Sequence, residues 1–439
     1  MFDRVLAGFS KGKIQIITGQ RCVIKDRFVD QLTSKLHIEA DKIYHYHLDD
    51  ILTRLEFEEE PLDFKTRFEK SSGKKLELLP HSIYFVFEQI QNARQLFPLI
   101  ANLNRINPKQ IRILLTSSIN LANDPDYLQH LASVSDIHVI YPPTMGDLVE
   151  QQDISLGDHS ILQFISKGEF DIDYFEKVFQ FASPHQQKIL DILKSYLLFS
   201  GVHLLKEEHD RTPDWDLIRS NLRDYFEQIL VSVYQISDLK KFDQILKIFA
   251  LNNGNILNLL KMCDQYGINR NTMRKYSGIL SDTFLIDFVP PYLKNDVNKP
   301  IMRTPKAYFY NNGLVNFLNS INTYRALENS VYFQSNLDGM LLSNLRAAIA
   351  QLGQEKEITF LRDYQSHELD FLISTDKGLV PVGICMDDNI RKTKIKTFRY
   401  YLRYCQQIFN GVIFSTYQRV ECIEMKKSKL HLLPIWMLW

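Results

Sequence analysis

The pattern of apolar and polar positions changes character along the chain. Ile14, Ile16 and Ile17 make a short apolar run that ends at Gly19, and Phe28, Val29, Leu32 and Leu36 then recur at helical spacing over Asp26–Leu36. Ile43–Leu48 alternates like a strand, while the charged stretch Phe57–Phe68 predicts an exposed helix. Ser82–Phe87 is an unbroken apolar run of the kind buried in a parallel sheet, and it ends at Glu88. A helix through Leu96–Leu103, a strand at Ile111–Ser118 and another at Ile137–Tyr141 follow. Strands alternating with helices predict an α/β domain with a mostly parallel sheet, whose ligand site lies at the carboxyl ends of the strands.

From about residue 150 to 260 the spacing turns helical, with Phe175, Val178, Phe179, Ile189, Ile192, Leu193 and Leu197 as core positions. Ile256–Cys263, the turn at Tyr266–Ile268 and the Asn-capped Asn271–Leu280 then read as a helix-turn-helix, with wing strands at Phe284–Val289 and Ala307–Tyr310. The remainder is mixed. A helix at Met340–Leu352 precedes strands at Ile358–Leu361, Leu369–Ser374 and Leu379–Ile384. A helix rich in Arg, Lys and Tyr at Lys394–Cys405, a strand at Gly411–Ser415 and a final edge strand at Leu430–Trp436 complete the pattern.

Composition narrows the class without choosing a function. At 439 residues the chain is too long for one core. Lys+Arg and Asp+Glu both number 52, so no global field points to nucleic acid or membrane. The five cysteines lack CxxC spacing, which argues against a zinc site or disulfide framework and for a reducing compartment. No run approaches the roughly 20 apolar residues that span a bilayer. A cytoplasmic protein without a membrane partner is expected.

The stretch Gly19-Gln20-Arg21-Cys22-Val23-Ile24-Lys25-Asp26 has the frame of a phosphate-binding P-loop, GxxxxGK[ST]. Such loops work because glycines let backbone N–H groups close around phosphates at a helix N-terminus. Lys25 is kept. Ile24, however, puts a β-branched side chain where a glycine-like turn belongs, and Asp26 replaces the hydroxyl that ligates Mg²⁺. His45 and His47 alternate on a strand with no third ligand nearby, and read as ordinary strand histidines.

Taken together, these segments resemble a prokaryotic, archaeal-type family of AAA ATPases that joins a P-loop domain to a winged helix and a C-terminal domain similar to PD-(D/E)XK nucleases. Gly19, Arg21, Val23 and Lys25 match the family's Gly-Pro-Arg-Gln-Val-Gly-Lys-Thr loop. Glu88-Gln89-Ile90-Gln91 aligns with its Asp-Glu-Ile-Gln, Leu115–Ser118 with its Thr-Gly-Ser-Ser strand end, and Tyr141–Leu148 with its Pro-Leu-Ser-Phe segment. Asn271–Tyr276 and Pro305–Leu314 match in the winged helix. The resemblance implies a P-loop domain over 1–150, a helical lid over 151–235, a winged helix over 236–318 and an α/β nuclease-like domain over 319–439.

It also implies ATP as ligand, with Mg²⁺ only in its company, held by the loop residues and Glu88. The family's metal-holding Asp falls at Glu88 and its water-polarising Glu at Gln89, and an amide accepts no proton at neutral pH. In the nuclease-like part, His367–Phe371 resembles the family's Glu-Val-Asp-Phe and keeps Asp370. The Glu-x-Lys motif reads Gly383-Ile384-Cys385, and the helix glutamate falls at Asn344. The expectation is a pseudoenzyme that binds another protein, its own copies or DNA, with no catalytic residue of its own. The alternatives are a weak ATP-binding switch and a DNA-binding regulator. DNA contacts are expected from Arg270, Arg274 and Lys275 on the recognition helix and from Arg399 in the basic helix, whose aromatics otherwise read as core.

Overall fold

The computed structural model describes residues 1–20, 23–35, 38–59, 64–154, 160–200, 215–293, 301–425 and 427–439. The chain divides into two compact units. The first holds Met1–Ile140 with Ser220–Leu239 and Asp282–Phe284; the second holds Tyr141–Arg219, Lys240–Ser281 and Leu285–Trp439.

The first unit is built on five strands: β1 (Ile14–Gly19), β2 (Ile43–His47), β3 (Ile83–Glu88), β4 (Ile111–Ser117) and β5 (Ser135–Ile140). They pair in the order β2-β3-β4-β1-β5, every pairing parallel. The apolar runs of β1, β3 and β4 are buried on both faces, as a sheet covered by crossover helices requires. One face packs Ile17, Val86 and Leu114 against Phe28, Val29 and Leu32 of the helix Val23–Lys35 and Val5 and Phe9 of the helix Phe2–Ser10. The other packs Tyr44, Phe85 and Phe87 against Phe57, Phe64 and Phe68, with rings edge-to-face or tilted. These come from two helices, Ile51–Glu59 and Phe64–Ser72, where the charge pattern predicts one.

This order puts β1 between β4 and β5, so the chain leaves β1 toward one edge and later returns to its other side. A reversal of that kind opens a crevice at the carboxyl ends of the strands, where α/β sheets hold ligands. Gly19 and Glu88 end two of these strands.

In the second unit, the helices Leu239–Leu251, Leu259–Tyr266 and Arg270–Asp282 precede an antiparallel pair, β6 (Ile286–Val289) and β7 (Lys306–Phe309). A six-stranded mixed sheet follows: β8 (Ile358–Arg362), β9 (Glu368–Thr375), β10 (Gly378–Ile384), β11 (Gly411–Ser415), β12 (Glu421–Met425) and β13 (Ser428–Pro434), ordered β12-β13-β11-β10-β9-β8. The segment expected as an edge strand, β13, is interior, lying parallel to β11 and antiparallel to β12. The edge is β12, Glu421–Met425, a half-buried strand whose apolar run is broken by Glu421 and Glu424. The long helix Phe333–Gln351 packs on one face of this sheet with the helices of 145–199. Phe398 and Tyr401 of the helix Asp388–Tyr401 pack on the other.

Candidate functional site

At the end of β1 a Cβ on Gly19 would run into the carbonyl oxygen of Ile140 on β5, so this position needs a glycine. Gln20 bends the chain, and its Oε1 is buried without a hydrogen-bond partner among the described residues. Arg21 and Cys22 lie outside the described residues. Val23, Ile24 and Asp26 fall in the first turns of the helix Val23–Lys35, their side chains outside the described set.

Lys25 turns inward from that helix and is 1% exposed. Its Nζ donates to the Gly19 carbonyl at 2.7 Å, to the Ser117 carbonyl at 2.9 Å and to Ser118 Oγ at 2.9 Å. An ammonium has three N–H donors, and here three protein acceptors take them. Ser118 Oγ in turn donates to Gln89 Oε1 at 2.7 Å, which also accepts from Gln91 Nε2 at 2.8 Å. Gln91 Oε1 closes the ring by accepting from the Ser118 amide at 3.2 Å. Gln89 sits in the left-handed region at φ 57, with its N–H donated to Thr116 Oγ1 at 3.0 Å. Non-glycine residues held there carry strain of about 1–3 kcal/mol and cluster at functional sites.

Glu88 faces the other way. His45 Nε2 lies 2.8 Å from its Oε1 and His47 Nδ1 2.9 Å from its Oε2, so adjacent β2 supplies both partners. Burial pushes the Glu88 carboxyl up, but the two imidazole hydrogen bonds outweigh it and hold the group below the usual carboxylate range. For Mg²⁺ the fit is poor, because Glu88 would have to abandon both histidines. Among the described residues no group of three or more His, Cys, Asp or Glu is arranged to hold a metal.

A second polar cluster lies in the C-terminal sheet of the other unit. Lys394, from the helix Asp388–Tyr401, forms an ion pair with Asp370 on β9. Gly383 on neighbouring β10 leaves room for it, since a Cβ there would lie 2.7 Å from Asp370 Oδ2 and 3.5 Å from Lys394 Cδ. Asp338, on the helix Phe333–Gln351, is buried in the same field, and burial pushes its carboxyl up to about 7 although Lys394 opposes the shift. Gln334 donates to Asp338 Oδ1 and to the Ile384 carbonyl, both at 2.9 Å. Glu368 is held by Lys306 and, at 2.9 Å, by Arg362. Burial pushes the Cys385 thiol up to about 12, which leaves it an inert thiol.

Asn344, where the resemblance puts the family's helix glutamate, makes structural hydrogen bonds. It accepts from the Met145 amide at 2.7 Å and donates to the Met340 carbonyl at 2.8 Å, a packing role. On the same helix Asp338 is buried and accepts from Gln334. Arg270, Arg274 and Lys275 are exposed on the helix Arg270–Asp282, which buries Met273, Tyr276 and Ile279. Arg399 is exposed too, but the aromatics beside it are occupied. Tyr400 donates to Asp363 Oδ2 at 2.7 Å and stacks on His367, and Tyr401 donates to the His367 carbonyl.

A family profile described as a domain of unknown function (DUF8612) matches residues 190–325, less than half of the chain. Comparison with the curated proteins returns no match. Among solved structures, PCH-2 of C. elegans is similar at 13% identity and a TM-score of 0.29, over 52% of this chain and 66% of that one. Drosophila ORC bound to AT-rich DNA and Cdc6 is similar at 10% identity and a TM-score of 0.22, over 73% and 88%. AMPPCP-bound DnaA from Aquifex aeolicus gives 12% and 0.24, over 64% and 86%. Scores of this size add no weight to a functional reading, which rests on the side chains.

The residues that complete the first site come from a segment the sequence offers only as a strand end. Thr116, Ser117 and Ser118 place hydroxyls and a carbonyl where β4 stops beside β1. In the second cluster Asp338 carried a readable signal, a lone acid inside the apolar run Leu337–Leu342.

Proposed function

We propose that this chain is a binding or scaffold protein built on an ATPase-like frame that does not turn over ATP. The observation that supports this most directly is the engagement of Lys25 by Ser118, itself part of a closed ring with Gln89 and Gln91. A lysine that serves a nucleotide must offer its protons to phosphate oxygens, and here carbonyls and a hydroxyl of the protein hold them. Gln89 stands where a general base would act, and its amide, itself an acceptor in the ring, takes no proton from water. Incubating the purified full chain with ATP and Mg²⁺ tests this. The expected result is phosphate release no greater than that of Lys25→Ala. Magnesium-dependent hydrolysis abolished by Lys25→Ala would overturn the proposal.

A second reading, DNA contact through the helix Arg270–Asp282, is favoured by one observation. Arg270, Arg274 and Lys275 are exposed on one stretch of that helix, while its apolar residues are buried. Cationic side chains so placed reach phosphates in or beside a groove. Duplex binding that weakens with salt and with Arg274→Ala supports it; no binding at low salt ends it.

A further inference from the structure

A buried cation usually needs a buried anion, and the C-terminal sheet holds two carboxylates around one ammonium. Asp370 comes from β9, Asp338 from the helix Phe333–Gln351 and Lys394 from the helix Asp388–Tyr401. Lys394 is on the side of its helix that carries Phe398 and Tyr401, and its side chain is 12% exposed; the Asp370 side chain is 10% exposed. Ion pairs this far from water persist only where each charge has its partner.

The nuclease resemblance would place a divalent ion here, held by Asp370 and by a second acid on the next strand. That second acid is Gly383, which has no side chain, and the space above it is taken by Asp370 and the Lys394 stem. With Lys394 paired to Asp370 and no acid at Gly383, the donor set as it stands does not fit a divalent ion, which would need the Asp370 carboxylate for itself. We infer that the Lys394 ammonium is a cation built into the fold, paired with Asp370 beside the buried Asp338, in the place of a divalent ion and closing the site to metal. The exchange keeps the charge pattern of such a site while moving its positive member from solvent to the chain. It ties the helix Asp388–Tyr401 to β9. This inference does not depend on the nucleotide site.

Thermal melting of the full chain with and without millimolar Mn²⁺, together with Mn²⁺ binding followed by electron paramagnetic resonance, tests it. The wild-type chain is expected to show no Mn²⁺-dependent shift that Asp370→Asn removes. Lys394→Ala is expected to melt several degrees lower, to recover part of that loss on adding Mn²⁺, and to lose the recovery in the Lys394→Ala/Asp370→Asn double variant. Should Lys394→Ala not fold, Lys394→Gln, which keeps a neutral donor to Asp370, is read in the same way. Mn²⁺ binding by the wild type that disappears in Asp370→Asn overturns the inference. So does a folded Lys394 variant with no response to Mn²⁺.

Discussion

Lys25 and Lys394 are both withdrawn from water. Lys25 donates to two carbonyls and a hydroxyl. Lys394 faces carboxylates, and their charges hold its proton more firmly than usual even though burial alone would loosen it. Replacing Lys25 with Met removes the donors and strands buried carbonyls, with an expected loss of about 1–3 kcal/mol. The midpoint of denaturant unfolding would report it. Asp338 gives a pH signature. Its folded-state pKa lies near 7 against an ordinary value of 3.8, so the folded chain binds the proton more tightly and stability contributed by this group falls as pH rises between those values. The charges that face it are Asp370, Lys394 and Lys306, with Gln334 as its hydrogen-bond donor. Asp338→Asn is therefore expected to flatten the decline of melting temperature between pH 4 and pH 7 and to leave the chain relatively more stable above it.

At the scale of elements, Gly383 shows how one strand position serves a helix on another layer. Its conformation does not demand glycine; its space does, because an added methyl group meets Asp370. Gly383→Ala is expected to cost about 1–3 kcal/mol by overpacking, read in the same unfolding midpoint, with little further loss when combined with Asp370→Asn. Elements of this kind were largely legible. The apolar runs of β1, β3 and β4 mark buried strands to within a residue or two, because burial on both faces leaves no polar position to blur them. Boundaries set by polar caps were less so. The basic helix begins at Asp388 because Asp387 accepts from the Asn389 and Ile390 amides, a signal hidden among charges. The burial of Lys394 was within reach: Lys394, Phe398, Tyr401 and Cys405 recur at the spacing of a single helical stripe, so the lysine lies on the core face. What no pattern could supply is the pairing across distant elements, Lys25 with Ser118 or Lys394 with Asp370, which depends on which strands become neighbours.

For the whole molecule, equal numbers of acidic and basic residues mean that any nucleic-acid contact must come from a local surface. If the helix Arg270–Asp282 meets DNA, Arg274→Ala is expected to lower affinity across sequences alike and to reduce the slope of log K against log salt by about one. Fluorescence anisotropy at several salt concentrations measures it. No helix among the described residues is long and apolar enough to cross a membrane.

The position of β1 carries one more consequence, for how the first unit comes to exist. Ile16 lies beside Leu115 on one side and Ile137 on the other, so both of its neighbours are remote in sequence. Until they arrive, a strand buried on both faces in the finished sheet has nothing to pair with, and closing so long a loop must precede any reward from the contacts. Folding of this unit is expected to belong to the slow, nonlocal class, in the millisecond-to-second range or beyond. During that interval the apolar Ile14–Thr18 is open to mispairing with another chain.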